Sequence, residues 1–533
     1  MLAILIMACG SSSNSPTATP ALPTNNPPPP SSSGIDVVTY HNDVARTGQN
    51  LSETTLTTGN VNSSSFGKVG FFSVDGKVDA EPLLLAGFNL GSQGTHDLLY
   101  VVTEHDSVYA IGAASGKVYW QVSVIGSGET TSHPRGCNQI TPEIGITSTP
   151  VIDRTHNVLY VVGMTKDGSG NYFQRLHALN LTNGAEVMGS PVTITPTFPG
   201  TGDESSGGTV TFQPGQHAER AALLLVNGAI YTMWTSHCDF RPYTGWVIGY
   251  NATTLAQSGV LNLTPNGSEG SIWMSGTAPA ADAVGNIYFL DANGTFDTTL
   301  NASGLPSHGD YGNAFVKLST TSGLAVSDYF AMFDTVAQSN VDGDLGSGGA
   351  LVLPDLKDAS GTTRHLALGA GKDQKIYVVD RDNMGKFNPS TNNIYQEIQG
   401  VLAGGEFGMP AYFNNTAYFG AVGDTLKAFP IRAAKLATSP SSHSGNSFGY
   451  PGTTPSVSAN GANDGIVWAA ENGATAVLHA YDASNLSKEL YNSNQAGSRD
   501  QFGAGNKFIT PMIANGRVYV GTTNGVAVFG KLQ

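Results

Sequence analysis

The chain has 533 residues, of which only 12% are charged, and it contains 66 glycines and 27 prolines. This composition suits short strands joined by tight turns rather than long exposed helices, and we find no convincing helix in the sequence. The formal net charge is -15 and no cluster of Lys and Arg occurs. We therefore set aside nucleic acids and anionic membrane surfaces as partners, because either would require a basic face.

The N-terminal stretch has the pattern of a targeting segment followed by a linker. An apolar run, MLAILIMA, stops at Cys9, and residues 10–34 are mostly Ser, Pro, Thr, Asn and Gly. Residues 6–9, IMAC, resemble a bacterial lipobox in which Cys9 would be acylated, and a plain secretion signal is the alternative. We expect residues 1–34 to be a signal and linker. The protein is then an exported, periplasmic or cell-surface lipoprotein whose only contact with the membrane is the lipid on Cys9.

A hairpin pattern recurs eight times in the rest of the chain. Its copies begin near Glu81, Ser148, Arg220, Gly276, Gly346, Gly408, Thr454 and Ile509. A second short strand pair follows most copies, which gives about four strands per unit, as in a propeller blade. We predict an all-β fold, an eight-bladed β-propeller formed by residues 35–533 as one domain, with a β-sandwich array as the alternative. A strand near residues 66–74 is expected to close the ring by pairing with the strands near 518–529.

The two remaining cysteines, Cys137 and Cys238, lie in loops next to consecutive hairpins. Because a disulfide persists in an exported protein, we predict a bond between them. Two separately buried thiols are one alternative. A metal site that also uses His133 and His237 is another, although no short Cys-x-x-Cys or His-x-x-x-His spacing supports it.

Several segments carry a resemblance to a known family. Residues 110–120, AIGAASGKVYW, resemble the A-x-D-x-x-x-G-x-x-x-W docking motif of pyrroloquinoline quinone (PQQ) propellers, with Gly112 where Asp is usual. Residues 271–297 resemble the W…P…YDP…YYGTGN segment of eight-bladed quinoprotein alcohol dehydrogenases. Residues 372–381, KDQKIYVVDR, are similar to the K-N-G-x-x-Y-V-L-D-R segment of that family.

The resemblance implies a set of cofactor-binding residues. Trp273 matches the indole on which the quinone stacks, and Asn293 matches the amide that binds calcium. The family's calcium-binding glutamate has no clean counterpart, and Asp239 is a shorter stand-in for it. The family's vicinal cysteine pair, which caps the quinone, is reduced here to Cys137 and the preceding glycine. Purely structural roles are the alternatives, because Trp273 would also pack well between blades and the Asn293-Gly294 pair is a common turn dipeptide.

The resemblance also implies the catalytic groups. Lys372 matches the cation that hydrogen-bonds the quinone and pairs with the catalytic carboxylate. That carboxylate, the general base for the alcohol proton, corresponds to Asp342 or Asp344. We expect these segments to converge at the central channel, with Lys372 within salt-bridge reach of one aspartate and the Trp273 indole facing an open slot.

Three functional classes stay open from the sequence. The first is a quinoprotein-type oxidoreductase that oxidises a small-molecule alcohol or sugar with PQQ and calcium. The second is a non-catalytic binding or assembly propeller lipoprotein of the cell envelope, with an envelope protein as its partner. Fold alone does not separate these two. The third is a hydrolase or lyase with a site on a propeller face, although no nucleophile elbow, zinc motif or carboxylate pair supports it.

Overall fold

The computed structural model describes residues 34–532, so the predicted signal segment and Cys9 lie outside the described residues. Within that part of the chain, eight sheets have four or five strands each, and two smaller sheets lie in loops. Each of the eight predicted hairpins forms the first two strands of a different one of these eight sheets. We number the sheets 1 to 8 in that order.

The first four sheets span residues 83–331, and sheets 2 and 3 each have one added strand. The strands of sheet 1 are Leu83–Asn89, Thr95–Val102, Ser107–Gly112 and Val118–Ser123. Those of sheet 2 are Val151–Asp153, Val158–Asp167, Tyr172–Asn180 and Val192–Thr193, with Glu129–Thr131 added. Those of sheet 3 are Leu224–Val226, Ala229–Ser236, Trp246–Asn251 and Gln257–Asn262, with His217–Glu219 added. Those of sheet 4 are Ala280–Ala281, Ile287–Leu290, Ala314–Ser319 and Ala325–Ala331.

The last four sheets complete the series and use two N-terminal strands. The strands of sheet 5 are Ala350–Val352, Leu366–Ala370, Ile376–Asp380 and Gln396–Ile398. Those of sheet 6 are Ala411–Phe413, Thr416–Phe419, Asp424–Arg432 and Ser442–Phe448, with Lys435–Leu436 added. Those of sheet 7 are Ser456–Asn460, Asn463–Glu471, Val477–Asp482 and Glu489–Asn492, with Gln49–Asn50 added in parallel. Those of sheet 8 are Met512–Ala514, Arg517–Gly521, Gly525–Lys531 and the early strand Phe66–Ser73.

Helices are few among the described residues. The prediction of no helix is wrong at one place, because Thr335–Asn340 forms a short α-helix between sheets 4 and 5. A six-residue helix leaves too little periodic pattern to be recognised in the sequence. Three short 3-10 turns lie at Gly91–Gln93, Met274–Gly276 and Gly497–Arg499.

The small sheets consist of Thr197–Pro199, Ser205–Ser206 and Thr209–Thr211, and of Leu356–Lys357 and Thr363–Arg364. No helix in the described part of the chain has the length and apolar character needed to cross a membrane.

Buried apolar clusters join each sheet to the next, which explains why short strands suffice. Such clusters lie between all successive sheets from 1 to 8 and also between sheets 8 and 1. The predicted N-terminal closing strand is confirmed, since Phe66–Ser73 pairs antiparallel with Gly525–Lys531. The sheets thus pack in a closed ring with no open end. The predicted all-β class and β-propeller fold are confirmed.

An N-terminal segment, residues 37–50, fills the centre of the ring. Its backbone carbonyls accept hydrogen bonds from the innermost strands of five sheets, through the amides of Ile152, Ala281, Val352, Tyr412 and Val457. Tyr40 packs in a buried cluster with Ala222, Ala278 and Met409, which come from three different sheets. The buried Arg46 guanidinium donates to the Pro279 carbonyl at 2.8 Å. We call residues 37–50 the plug.

Candidate functional site

A cavity of about 250 Å³ lies near the centre of the ring. Most of its lining residues stand shortly before the innermost strand of their sheet, so each of sheets 3 to 8 contributes at least one side chain. The lining residues are Gln139, Arg220, Asp239, Trp273, Ser275, Asp342, Asp344, Ser347, Lys372, Phe407, Tyr450 and Phe508. Side chains from distant segments meet here because the repeat places equivalent loops around one axis.

Five of the seven residues predicted for cofactor, metal and catalysis line this cavity: Asp239, Trp273, Asp342, Asp344 and Lys372. Asn293 reaches it indirectly, since its Nδ2 donates to Asp342 Oδ1 at 2.6 Å. Cys137 lines a smaller neighbouring pocket, together with Gln139 and Arg220. The structure therefore brings the predicted residues together.

The Lys372 ammonium joins the two candidate carboxylates. It contacts Asp342 Oδ1, and its Nζ lies 2.7 Å from Asp344 Oδ1. Asp344 is 1% exposed, whereas Asp342 is 64% exposed. Although burial lowers the pKa of Lys372, the negative charges of Asp344 and Asp342 outweigh it and raise that pKa above its usual value. Lys372 is thus held as a cation between two carboxylates.

Asp344 differs from Asp342 in its electrostatic surroundings. Burial raises the pKa of the Asp344 carboxyl to about 6, against the opposing attraction of Lys372. The negative charges of Asp342 and Asp239 raise it further. A carboxyl of this kind is ionised at neutral pH and still basic enough to accept a proton.

Two glycines allow the loops that carry these groups to approach closely. A Cβ at Gly346 would lie 2.4 Å from the Ala292 backbone nitrogen, and one at Gly371 would lie 2.5 Å from the Asp344 carbonyl oxygen. With no side chain there, the Lys372 amide donates to the Asp344 carbonyl at 2.8 Å. Backbone contact thus fixes Asp344 and Lys372 side by side.

The short helix Thr335–Asn340 and the loop after it are anchored to sheet 4. Thr335 Oγ1 donates to the Asn313 carbonyl at 2.7 Å, and the Leu345 amide donates to Asn313 Oδ1 at 2.9 Å. The Gly294 amide donates to Ser339 Oγ at 2.8 Å. These bonds place Asp342 next to Asn293, which lies two strands earlier in the sequence.

Trp273 is half-buried and lines the cavity, so its indole faces an open slot as predicted. The Arg220 guanidinium carbon lies 5.9 Å from its ring centroid. The Met274 amide donates to the Gly346 carbonyl at 2.9 Å, which ties this segment to the loop that carries Asp344.

Cys137 and Cys238 form a disulfide with their Cα atoms 5.5 Å apart. The neighbouring Asp239 accepts a hydrogen bond from the Tyr243 hydroxyl at 2.8 Å. Because both cysteines are in the disulfide, neither is available to the alternative metal site. Within residues 34–532, no group of three or more His, Cys, Asp and Glu side chains is arranged to hold a metal ion.

The sequence did not single out the aromatic side chains of the cavity. Phe407, Tyr450 and Phe508 form a row, with ring centroids 5.5 Å and 6.3 Å apart. The Arg220 guanidinium carbon lies 4.8 Å from the Phe508 ring centroid. We call these four residues the arginine–aromatic cluster, and Asp239, Asp342, Asp344 and Lys372 the acidic cluster. The signal that would have identified the former is their shared position just before the innermost strand of each repeat.

Known structures share this architecture. A quinohemoprotein alcohol dehydrogenase from Comamonas testosteroni matches with a TM-score of 0.61 and 14% identity, over 93% of this chain and 80% of that chain. One from Pseudomonas putida matches over the same shares with a TM-score of 0.59 and 12% identity. A europium-containing methanol dehydrogenase matches with a TM-score of 0.59 and 12% identity, over 93% of this chain and 98% of that chain. No family model and no curated protein matches the chain. At these identities the likeness concerns the fold, and the chain is a β-propeller with the architecture of the quinoprotein dehydrogenases.

Proposed function

We propose that this protein is a quinoprotein-type oxidoreductase that oxidises an alcohol or sugar in the central cavity, with PQQ and calcium as cofactors. The observation that carries the proposal is the contact of Lys372 with both Asp342 and Asp344 in a cavity that Trp273 also lines. A buried carboxylate, a paired cation and an accessible indole, drawn from separate segments, form a reactive site more readily than a structural one.

The donors next to the acidic cluster suit calcium. Asn293 Oδ1 is buried and has no hydrogen-bond partner, and the Asp239 carboxylate lines the same cavity. Calcium prefers amide and carboxylate oxygens, six to eight in number. Asn293 and Asp239 would therefore hold the ion together with oxygens of the cofactor and water. When bound, the pair supplies a Lewis acid and a two-electron acceptor.

Three residues of the chain would stack on the ring, accept the proton and position the charged groups. Trp273 offers a flat face on which a planar ring stacks. Asp344 would accept the substrate hydroxyl proton at its carboxylate, because it is buried, lines the cavity and is paired with a cation that favours its ionised form. Asp342 is mostly exposed and is contacted by both Asn293 and Lys372, so we assign it a positioning role.

Export is part of the proposal. The Cys137–Cys238 disulfide supports it, because disulfides persist in oxidising compartments. In the proposed arrangement Cys9 carries the lipid anchor and a small-molecule substrate is the partner. Non-reducing peptide mapping of the exported protein is the check on the disulfide.

Reconstitution tests the function. The purified protein is incubated with PQQ and calcium and then assayed with a panel of primary alcohols and sugars and an artificial dye as electron acceptor. We expect dye reduction that requires both additions and is lost in Lys372→Met, with thermal melting used to verify that the variant folds. Absence of both bound quinone and dye reduction in the wild type would leave the non-catalytic binding propeller as the function.

A further inference from the structure

Arg220 is a buried cation that the proposed chemistry does not use. Its side chain is 5% exposed, and it lines the cavity beside Trp273 and Phe508. Burial lowers its pKa, whereas the negative charges of Asp79 and Glu104 oppose that effect. A guanidinium nevertheless keeps its charge in proteins, so a positive group faces this part of the cavity.

The Arg220 guanidinium lies over two aromatic rings but has no hydrogen-bond or ion-pair partner among residues 34–532. Its Nε is fully buried. The nearby carboxyls bind other groups, since Asp79 contacts Asn506 Nδ2 and Glu104 accepts from the Gly145 amide at 2.8 Å. Arg46, the other deeply buried arginine, differs because its guanidinium donates to Thr39 and to three backbone carbonyls. Arg220 thus presents a set of unused donors to the cavity.

Arg220 and the acidic cluster line the same cavity but have different neighbours. The Asp344 carboxylate lies against the Lys372 ammonium, whereas the Arg220 guanidinium lies over the rings of Trp273 and Phe508. A ligand carboxylate is therefore repelled by the acidic cluster and attracted to Arg220, whose planar fork matches a carboxylate in two parallel hydrogen bonds. Phe407, Tyr450 and Phe508 provide apolar surface next to it for a ring.

We propose that Arg220 binds a carboxylate carried by a flat, partly aromatic ligand, and so fixes that ligand with its neutral end towards Asp344. This inference rests on the proposed function only in taking the cavity to be a ligand site. The carboxylate belongs either to the cofactor or to the substrate, and the same contact serves both.

The test compares a charged and a neutral probe of one shape. Binding of 2-naphthoate and 2-naphthamide is measured by calorimetry for the wild type, Arg220→Gln and Arg220→Lys. We expect the wild type to prefer naphthoate by about tenfold or more, the usual effect of a buried hydrogen bond to a charged group. Arg220→Gln should remove the preference while keeping naphthamide affinity, and Arg220→Lys should retain part of it.

Arg241→Gln is the matched control, because Arg241 is 53% exposed at the neighbouring loop and its guanidinium is already bound to Asp203. It should leave the preference unchanged. Equal binding of the two probes by the wild type, or a preference that survives in Arg220→Gln, would overturn the proposal. Thermal melting of each variant separates loss of the contact from loss of the fold.

Two further arms identify the source of the carboxylate. If it belongs to the cofactor, Arg220→Gln weakens binding of PQQ but not of its trimethyl ester. If it belongs to the substrate, the variant raises KM for a hydroxy acid but not for the matching alcohol. The naphthoate comparison needs neither PQQ nor turnover, so its result stands even if the wild type binds no quinone. If Arg220→Gln changes neither arm but loses the naphthoate preference, the anion subsite still stands, and the quinoprotein function is decided separately by quinone binding and dye reduction in the wild type.

Discussion

The acidic cluster and the arginine–aromatic cluster share one cavity but are built differently. Backbone contacts fix the acidic cluster, through the Lys372 amide on the Asp344 carbonyl and the Leu345 amide on Asn313. The members of the arginine–aromatic cluster contact one another through their side chains, and one of them, Tyr450, is 53% exposed. The two clusters are therefore suited to different roles. Rigid backbone contacts suit groups that move a proton, whereas adaptable aromatic side chains suit recognition of a ligand.

The largest expected effect separates the two aspartates of the acidic cluster. Asp344→Asn should lower kcat by about a thousandfold, within the range for loss of a general base, while PQQ still binds. Asp342→Asn should lower kcat less, by about tenfold to a hundredfold, because we assign it only a positioning role. Steady-state rates with the dye acceptor measure both. The reverse ranking would assign the base to Asp342.

The pH dependence of the reaction sharpens the same assignment. The pKa of Asp344 is raised to about 6, so the base is ionised above that pH and protonated below it. We expect kcat/KM to be level above pH 7 and to fall about tenfold per pH unit below about 6. Asp342→Asn removes a neighbouring negative charge that raises this pKa, so the acidic limb should move to lower pH. A profile that shows no acidic limb near pH 6 would contradict the role of Asp344.

The smallest expected effect concerns the aromatic row. Phe508→Ala should weaken binding of the neutral probe 2-naphthamide by about three- to tenfold, the scale of one lost aromatic contact. It should leave the kcat of an alcohol substrate unchanged within about twofold. Phe333→Ala is the control, because Phe333 is 46% exposed beside the helix Thr335–Asn340 and does not line the cavity. A large drop in kcat for Phe508→Ala would show that the two clusters do not act separately.

The sequence predicted the ring and the acidic cluster because both leave local signals. Each hairpin is a short apolar pattern around a turn, and the eight copies reinforce one another. Trp273 and Lys372 stand in segments that resemble family motifs. The ring geometry then explains why these two segments meet in one cavity.

The plug leaves no local signal, and the arginine–aromatic cluster leaves only its members' shared position just before the innermost strand of each repeat. Residues 37–50 contact the innermost strands of five sheets, and no local pattern encodes contacts so distant in the sequence. Arg220, Phe407 and Phe508 differ in type although they occupy similar places in their repeats, and the repeat pattern concerns only the strands. We infer the anion-binding role of Arg220 from its burial without a hydrogen-bond or ion-pair partner, and the sequence does not show that burial.

Calorimetric titration of the wild type with PQQ, with and without calcium, shows whether the cavity holds the quinone through the metal. We predict one quinone per chain, with binding that requires calcium and that Asn293→Ala weakens by about tenfold or more, because the buried amide oxygen would be a metal ligand. Asn183→Ala, in an exposed turn of sheet 2, is the control and should bind as the wild type does. No binding by the wild type, or binding that is the same with and without calcium, would contradict the account.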